Sequence, residues 1–240
     1  ETADTLAALR LSKEKGARTL AISNVIGSTI TREADYTIYT HAGLEIAVAS
    51  TKAYTSQVCL IAILGMYFAE TMGSYPEDKI EELKHSILDL PSKIEAVLDE
   101  SEKIKDFADK VYTQKDMFFL GRGTDYDVAL EGSLKLKEIS YIHSEAYAAG
   151  ELKHGPIALI ENGVIVIGII TNKNLVEKTI SNIQEVITRG AKTLIITNQI
   201  LPNNNFGYVI NIPETNELIS PILSVIPLQL LSYYISKNKG

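Results

Sequence analysis

Three charged residues near the middle of the chain have the types and the spacing that proton chemistry requires. Glu131, Lys135 and Glu138 stand at positions i, i+4 and i+7, which places them on one face if the segment is helical. A carboxylate beside an ammonium group can act as a general base that moves a proton next to a carbonyl group. The same spacing also suits a ladder of surface ion pairs, and spacing alone favours that structural interpretation.

One histidine has a setting that differs from those of the others. His154 lies in the run 147–156 (YAAGELKHGP), a loop pattern bounded by glycine and proline. Histidine side chains ordinarily titrate near pH ~6.5 and can therefore act as acid or base near neutral pH. His41, His85 and His143 have no comparable setting, and no pair of histidines has the spacing of metal ligands, so we expect no bound metal.

Two further segments have features of phosphate-binding sites. Residues 1–5 (ETADT) open a helical pattern with hydroxyl and acidic side chains, which is typical either of helix capping or of an anion pocket at a helix N-terminus. Residues 121–123 (GRG) follow an apolar strand pattern, but Tyr126 stands where the dinucleotide fingerprint GxGxxG requires glycine. A tight turn explains the second segment, and the residues alone favour capping at the first.

The composition limits the classes of function. The 240 residues contain 23 Lys and Arg against 30 Asp and Glu, a formal net charge of −7, and no basic stripe, so nucleic acid is not expected as a partner. The single cysteine, Cys59, lies in an apolar run, which predicts neither a disulfide framework nor a cysteine-based zinc site and favours a reducing, cytoplasmic compartment. The longest uncharged stretch, 53–69, contains polar side chains and is short for a membrane span, so no membrane is expected.

An internal repeat predicts the elements that position these residues. Residues 16–24 (GARTLAISN) are echoed by 190–198 (GAKTLIITN), an offset of 174 residues. Each copy follows an amphipathic helical pattern and precedes a second strand pattern and a long apolar helix, at 48–72 and 218–237. This order predicts an α/β fold of two doubly wound units, each with a parallel sheet.

The two units are predicted to be unequal. Two strand patterns and a helix pattern between 116 and 170 precede the second copy, and the first copy has no counterpart of them. We therefore expect a first domain at 1–73 that lacks its leading strands, a connector of two helices at 74–113, and a second domain at 114–240. The chain is thus expected to be a fragment of a longer protein.

Four segments closely resemble the isomerase part of the glutamine:fructose-6-phosphate aminotransferase family. They are ETADTLAALRLSKEKGA at 1–17, VASTKAYTSQ at 48–57, EGSLKLKEISYIHSEAYAAGELKHGP at 131–156 and SPILSVIPLQLLSYY at 220–234. In that family the isomerase part consists of two SIS (sugar isomerase) domains with a flavodoxin-like fold. The resemblance implies conversion of fructose 6-phosphate and glutamine-derived ammonia to glucosamine 6-phosphate, for amino-sugar and cell-wall precursor synthesis, without a cofactor.

The resemblance also implies roles for individual residues. Glu138 matches the base that moves a proton between C1 and C2 of the open-chain imine, and Lys135 matches the lysine that assists it. His154 matches the histidine that opens the sugar ring. In the family this histidine acts in the active site of the other subunit, which implies a homodimer. The positions that match phosphate-binding or sugar-contacting residues are Thr2, Val48 and Ser50.

The chain departs from the family pattern in what it lacks. The chain lacks most of the phosphate loop, the C-terminal tail with a further active-site lysine, and the glutaminase domain with its cysteine nucleophile. We therefore expect these residues to be inactive in isolation.

Two other classes of function remain open. One is a sugar-phosphate-binding SIS module without catalysis, and the other is a different SIS enzyme, such as a phosphosugar isomerase or a deglycase, without a glutaminase domain.

Overall fold

A computed structural model describes residues 3–202 and 205–240. The described residues divide into two compact units, 1–65 and 66–240. The helices are α1 (Ala3–Glu14), α2 (Thr29–Glu33), α3 (Lys52–Met72), α4 (Glu77–Leu88), α5 (Leu90–Leu98), α6 (Ser101–Val111), α7 (Thr124–Ser140), α8 (Val176–Thr188) and α9 (Ser220–Lys239). The strands are β1 (Leu20–Ser23), β2 (Tyr36–Tyr39), β3 (Asp116–Gly121), β4 (His143–Ala148), β5 (Ile165–Ile170), β6 (Lys192–Thr197) and β7 (Tyr208–Asn211).

The first unit is built on the parallel pair β1 and β2, in which Leu20 lies opposite Tyr36. The Asp35 carboxylate accepts hydrogen bonds from the Thr19 N–H at 2.8 Å and the Thr19 hydroxyl at 2.9 Å, which join the amino ends of the two strands. Lys13, 3.0 Å from Asp35, and these two donors lower the pKa of Asp35 to about 2. Among the described residues of this unit the buried apolar side chains are those of Ala21 and Ala49, so it contains little apolar core.

The second unit contains a five-stranded parallel sheet in the order β4-β3-β5-β6-β7. Numbered from its first strand, this order is 2-1-3-4-5, the doubly wound arrangement of flavodoxin-like proteins. All six side-chain positions of β5 are buried, as a strand covered by helices on both faces requires. The predicted α/β class with parallel sheets is therefore confirmed.

The segment 74–113, predicted as a connector, lies within this second unit and forms α4, α5 and α6. Two helices were expected in this segment, but three are present. Pro91 occupies the first turn of α5, where a proline needs no hydrogen-bond donor, and a further break separates Leu98 from Ser101. Helices α5 and α6 both pack on α9.

Candidate active site

Helix α7 brings together two of the predicted catalytic residues. The Nζ atom of Lys135 lies 2.6 Å from Oε2 of Glu138, one turn further along the helix. The Lys135 side chain is 5% exposed and that of Glu138 is 31% exposed. Burying an ammonium group costs several kcal/mol unless a counter-ion accompanies it. The ion pairs that the spacing favours are present, but they do not form a surface ladder, because Lys135 is buried and Glu138 is partly exposed.

The burial of Lys135 follows from the packing of α7, which contacts β3, β4 and α9. Gly132 permits the approach of α9, because a Cβ atom at this position would lie 2.5 Å from Cδ1 of Leu228. On the side of β4, the hydroxyl groups of Ser133 and Ser144 lie 3.0 Å apart. The helix is thus held on two sides, and Lys135 has little freedom to move away from Glu138.

One oxygen of Glu138 is buried against Lys135. Oε2 lies 2.6 Å from Nζ of Lys135, and this contact is an ion pair without the alignment of a hydrogen bond. The Glu138 side chain as a whole is 31% exposed, so its carboxylate is able to accept a proton from a bound molecule.

The pair lies away from the carboxyl edge of the sheet in the second unit. Helix α7 follows β3 and leads into the parallel strand β4, so it runs antiparallel to both, and Glu138 lies in its last turns. Ligands of open parallel sheets normally bind beyond the carboxyl ends of the strands. Residues 121–123 lie at that edge, at the end of β3, whereas Lys135 and Glu138 do not.

A buried acid that the sequence patterns do not indicate, Asp125, lies at the carboxyl edge. Its carboxylate accepts hydrogen bonds from the Thr171 N–H at 2.8 Å, the Thr171 hydroxyl at 2.5 Å and the Asn172 N–H at 3.3 Å. Burial raises the pKa of Asp125, and these hydrogen bonds oppose the rise. Gly121 allows the turn, since a Cβ there would lie 2.3 Å from the backbone of Asp125. Asp125 therefore anchors the start of α7 to the loop after β5.

Replacing Asp125 with alanine is expected to destabilise the protein by about 2–3 kcal/mol, because two buried N–H groups lose their acceptor. Calorimetry should show a fall in Tm of about 5–10 °C in the full-length protein that contains this chain. The control is Asp127→Ala, an exposed acid on the same helix, for which a change within about 0.5 kcal/mol is expected. Equal effects of the two substitutions would contradict the anchoring role.

The pH dependence of this loss has a definite sign. Because the pKa of Asp125 is raised on folding, the folded state binds its proton more tightly than the unfolded state does. The contribution of this group to stability is complete below the unfolded pKa, near ~3.9, and declines as pH rises through the folded pKa. The difference in the free energy of unfolding between wild type and Asp125→Ala should therefore shrink as the pH rises from the unfolded pKa to the folded pKa of Asp125. A difference that grows over this pH range would contradict the raised pKa.

A cleft of about 560 Å³ also lies at this carboxyl edge, lined in part by Thr124, Thr171 and Asn198. Both of its lysines are paired, since Lys173 pairs with Glu214, and Lys79 pairs with Glu82 at 2.8 Å. In the described part of the chain the lining includes none of the predicted site residues. Glu217 also lines the cleft, so its charged side chains are two cations and three anions, and the cleft has no excess positive charge that would select a phosphate group.

His154 is exposed and ends a short 3₁₀ segment, Ala149–His154, directly before Gly155. Gly155 has a φ of 145°, a conformation that a residue with a side chain rarely adopts. Within the described ranges His154 forms no hydrogen bond or ion pair with Lys135 or Glu138. The described residues of a single copy therefore do not link the histidine to the ion pair of Lys135 and Glu138 by a hydrogen bond or an ion pair.

The other predicted positions belong to the first unit. Val48 and Ser50 lie in the loop before α3, where the Val48 side chain is 91% exposed. The Ser50 hydroxyl donates to Oε2 of Glu45 at 3.1 Å, and the Thr51 N–H donates to Oε1 of the same carboxylate at 2.6 Å. Glu45 therefore orders this loop. Thr2 lies outside the described residues.

Two general features bear on the class of site. Across residues 3–202 and 205–240, no group of three or more His, Cys, Asp or Glu side chains is arranged to hold a metal ion. Helix α3 has the length and apolar composition of a membrane span, and one such helix is weak evidence for a membrane.

Comparisons with known proteins agree with this architecture. A family model described as "SIS domain" matches residues 1–67 and 110–236. The glutamine–fructose-6-phosphate aminotransferase (isomerizing) of Clostridium tetani is 59% identical over 242 residues, which cover all of this chain and 40% of that protein. The chain thus spans about two fifths of the length of the curated relatives that it matches.

Solved structures are similar over the whole chain. The C-terminal domain of glucosamine-fructose-6-phosphate aminotransferase from Francisella tularensis has a TM-score of 0.95 and 38% identity, covering all of this chain and 69% of that chain. Tagatose-6-phosphate ketose/aldose isomerase from Escherichia coli has a TM-score of 0.78 at 17% identity, covering all of this chain and 66% of that chain. At that identity the likeness concerns the fold alone.

Proposed function

The chain belongs to the SIS domain family, and we propose that it is the isomerase part of a glutamine–fructose-6-phosphate aminotransferase. The observation that carries this proposal is the ion pair between the buried Lys135 and the partly exposed Glu138, whose Nζ and Oε2 atoms lie 2.6 Å apart. The substrate is fructose 6-phosphate, and the product is glucosamine 6-phosphate.

The chemistry requires one base that takes a proton and returns it. Ammonia condenses with the C2 ketone of open-chain fructose 6-phosphate and releases water, which leaves an imine at C2. Glu138 removes a proton from C1, the C–H electron pair forms a C1–C2 double bond, and the imine nitrogen gains a proton. Glu138 then donates its proton to C2 while the C1 hydroxyl loses one and becomes the aldehyde. The neighbouring Lys135 stabilises negative charge that develops during these transfers.

The remaining residues are proposed to bind and open the sugar. Thr2 binds the phosphate group, Val48 and Ser50 contact the sugar, and His154 opens the sugar ring as acid and base. Because no hydrogen bond or ion pair joins His154 to Glu138 among the described residues of one chain, we propose that it acts in the site of a second copy, so that the active species is a homodimer. The compartment is the cytoplasm, in keeping with a sequence that has a single cysteine.

The nitrogen source lies outside these residues in this proposal. The relatives are longer than this chain by more than half of their length, and we propose that the full-length protein carries a glutaminase domain that releases ammonia from glutamine. Residues 74–113 would connect the two SIS domains, which is supported by the gap at 68–109 between the two segments that the family model matches.

The test is to supply the full-length protein with fructose 6-phosphate and either glutamine or an ammonium salt. We expect glucosamine 6-phosphate with both nitrogen sources. Interconversion of sugar phosphates without incorporation of nitrogen would instead identify a different phosphosugar isomerase. Binding of the sugar phosphate without any turnover would identify a non-catalytic module, and either result would overturn the proposal.

A further inference from the structure

The turn after β3 contains an arginine, Arg122, that the proposed reaction does not use. Its Nε and Nη2 atoms both donate hydrogen bonds to Oδ1 of Asn182 on α8, at 3.2 Å and 2.9 Å. Asn182 is 4% exposed, so the guanidinium group is fixed to a buried acceptor. Because the guanidinium group is planar and rigid, two hydrogen bonds from one edge set the orientation of the whole group.

The other edge of the Arg122 guanidinium group lies against the backbone of Gly150. A Cβ atom at position 150 would lie 2.7 Å from Nη2, 3.0 Å from Nη1 and 3.1 Å from Cζ of Arg122. A residue without a side chain is therefore required for this close approach. Gly150 belongs to the 3₁₀ segment Ala149–His154, which we call the His154 segment. The arginine thus packs on the segment that carries the histidine proposed to open the sugar ring.

The His154 segment is also held by α8, but the histidine side chain is not. Ala149 and Leu152 are fully buried, and Nζ of Lys153 lies 2.8 Å from Oε1 of Glu185 on α8. His154 is exposed, and within residues 3–202 and 205–240 its imidazole group forms no hydrogen bond or ion pair. The place of the imidazole group is therefore set by the backbone of the His154 segment.

We infer that Arg122 is a positioning residue, which joins α8 to the His154 segment and so holds His154 where it opens the sugar ring. This inference rests on the proposed function. Asn182 fixes the guanidinium group, and Gly150 leaves room for it. A reacting group that is displaced by about 1 Å can lose about 10²-fold in rate, so a modest shift of the segment is sufficient for a large effect.

The test is Arg122→Gln in the full-length protein, assayed with fructose 6-phosphate and an ammonium salt. We expect kcat to fall about 10-fold to 100-fold. The dissociation constant for fructose 6-phosphate should change by less than about threefold, because the inference places Arg122 outside the sugar site. The matched control is Arg18→Gln, which changes an exposed arginine of the first unit and should leave kcat within twofold.

Two further variants examine the contact itself. Arg122→Lys keeps the positive charge but lacks the planar group that meets Asn182 and Gly150, so it should not restore kcat. Gly150→Ala places a methyl group against the guanidinium group and should lower kcat while Arg122 is still present. Melting temperatures show whether each variant is folded, and Gly150→Ala supplies the comparison if Arg122→Gln does not fold.

A double-mutant cycle separates positioning of His154 from a general loss of structure. In His154→Asn the ring-opening group is absent, and spontaneous ring opening of the sugar supplies the residual turnover. Adding Arg122→Gln to this variant should change kcat by less than twofold, because no histidine is left to misplace. A loss of kcat through general disturbance of the fold would persist in the double variant.

Three results would overturn the inference: a kcat for Arg122→Gln within twofold of wild type, a full-sized effect that persists in the His154→Asn background, or wild-type turnover by His154→Asn alone. Each leaves the assigned reaction standing as long as the wild type forms glucosamine 6-phosphate and Glu138→Gln does not. A wild type that forms no glucosamine 6-phosphate would instead refute the proposed function.

Discussion

Replacing Glu138 with glutamine is expected to reduce glucosamine 6-phosphate formation by the full-length protein by about 10²-fold to 10⁴-fold, the usual contribution of a general base. Glutamine has nearly the size of glutamate and keeps an oxygen near Lys135, but it cannot take up the proton from C1. The loss should therefore appear in kcat, and the dissociation constant for fructose 6-phosphate should change by less than about threefold.

The matched control for this substitution is Asp127→Asn, which removes an exposed carboxylate from the same helix. It should retain turnover within twofold. Titration calorimetry with fructose 6-phosphate provides the binding measurement for both variants. If Glu138→Gln turned over at the wild-type rate, Glu138 would not be the base. If sugar binding fell by the same factor as kcat, Glu138 would have a role in substrate binding instead of proton transfer.

Replacing Lys135 with methionine is expected to lower kcat by about 10²-fold to 10³-fold, the effect of losing one preorganised electrostatic group. Methionine keeps an unbranched side chain of similar length, so the packing of α7 against α9 is preserved. The substitution removes the cation between Glu131 and Glu138 and leaves two carboxylates on neighbouring turns. Breaking a buried pair in this way costs about 3–5 kcal/mol of stability, so a lower Tm is also expected.

Lys137 provides the comparison, because it lies two residues further along the same helix and is exposed. Lys137→Met should leave both kcat and Tm close to the wild-type values. If Lys135→Met were as active as Lys137→Met, the buried ammonium group would have no part in the reaction. Steady-state kinetics and calorimetry on the two variants together decide this point.

Much of the fold could be predicted because its signals are local. Strand β5 is a continuous apolar run, β6 has an apolar centre, and the repeated motif places β1 and β6 at equivalent positions. Strand β4 could not be predicted from its residues, because only Ser144 of its six positions is buried and the strand pairs on one side with β3, so it lacks the apolar run of a central strand. The short helix α2 likewise has no apolar periodicity in its five residues.

The site could be predicted in part. The spacing of Lys135 and Glu138 placed them on one helical face, but it did not indicate that this face is buried, because burial depends on contacts of α7 with β4 and α9. Asp125 was missed for a related reason. An acid in the first turn of a helix is usually an exposed dipole partner, and its hydrogen-bond donor Thr171 is 46 residues away in sequence.

The most direct test of the account follows the hydrogen that Glu138 is proposed to move. Fructose 6-phosphate with two deuterium atoms at C1 is given to the full-length protein with an ammonium salt, and the sugar is examined by NMR. The wild type should break one C1–deuterium bond and place deuterium, or hydrogen exchanged from water, at C2 of glucosamine 6-phosphate. In Glu138→Gln the bound sugar should keep both deuterium atoms at C1. Cleavage of the C1–deuterium bond by this variant at the wild-type rate would contradict the account.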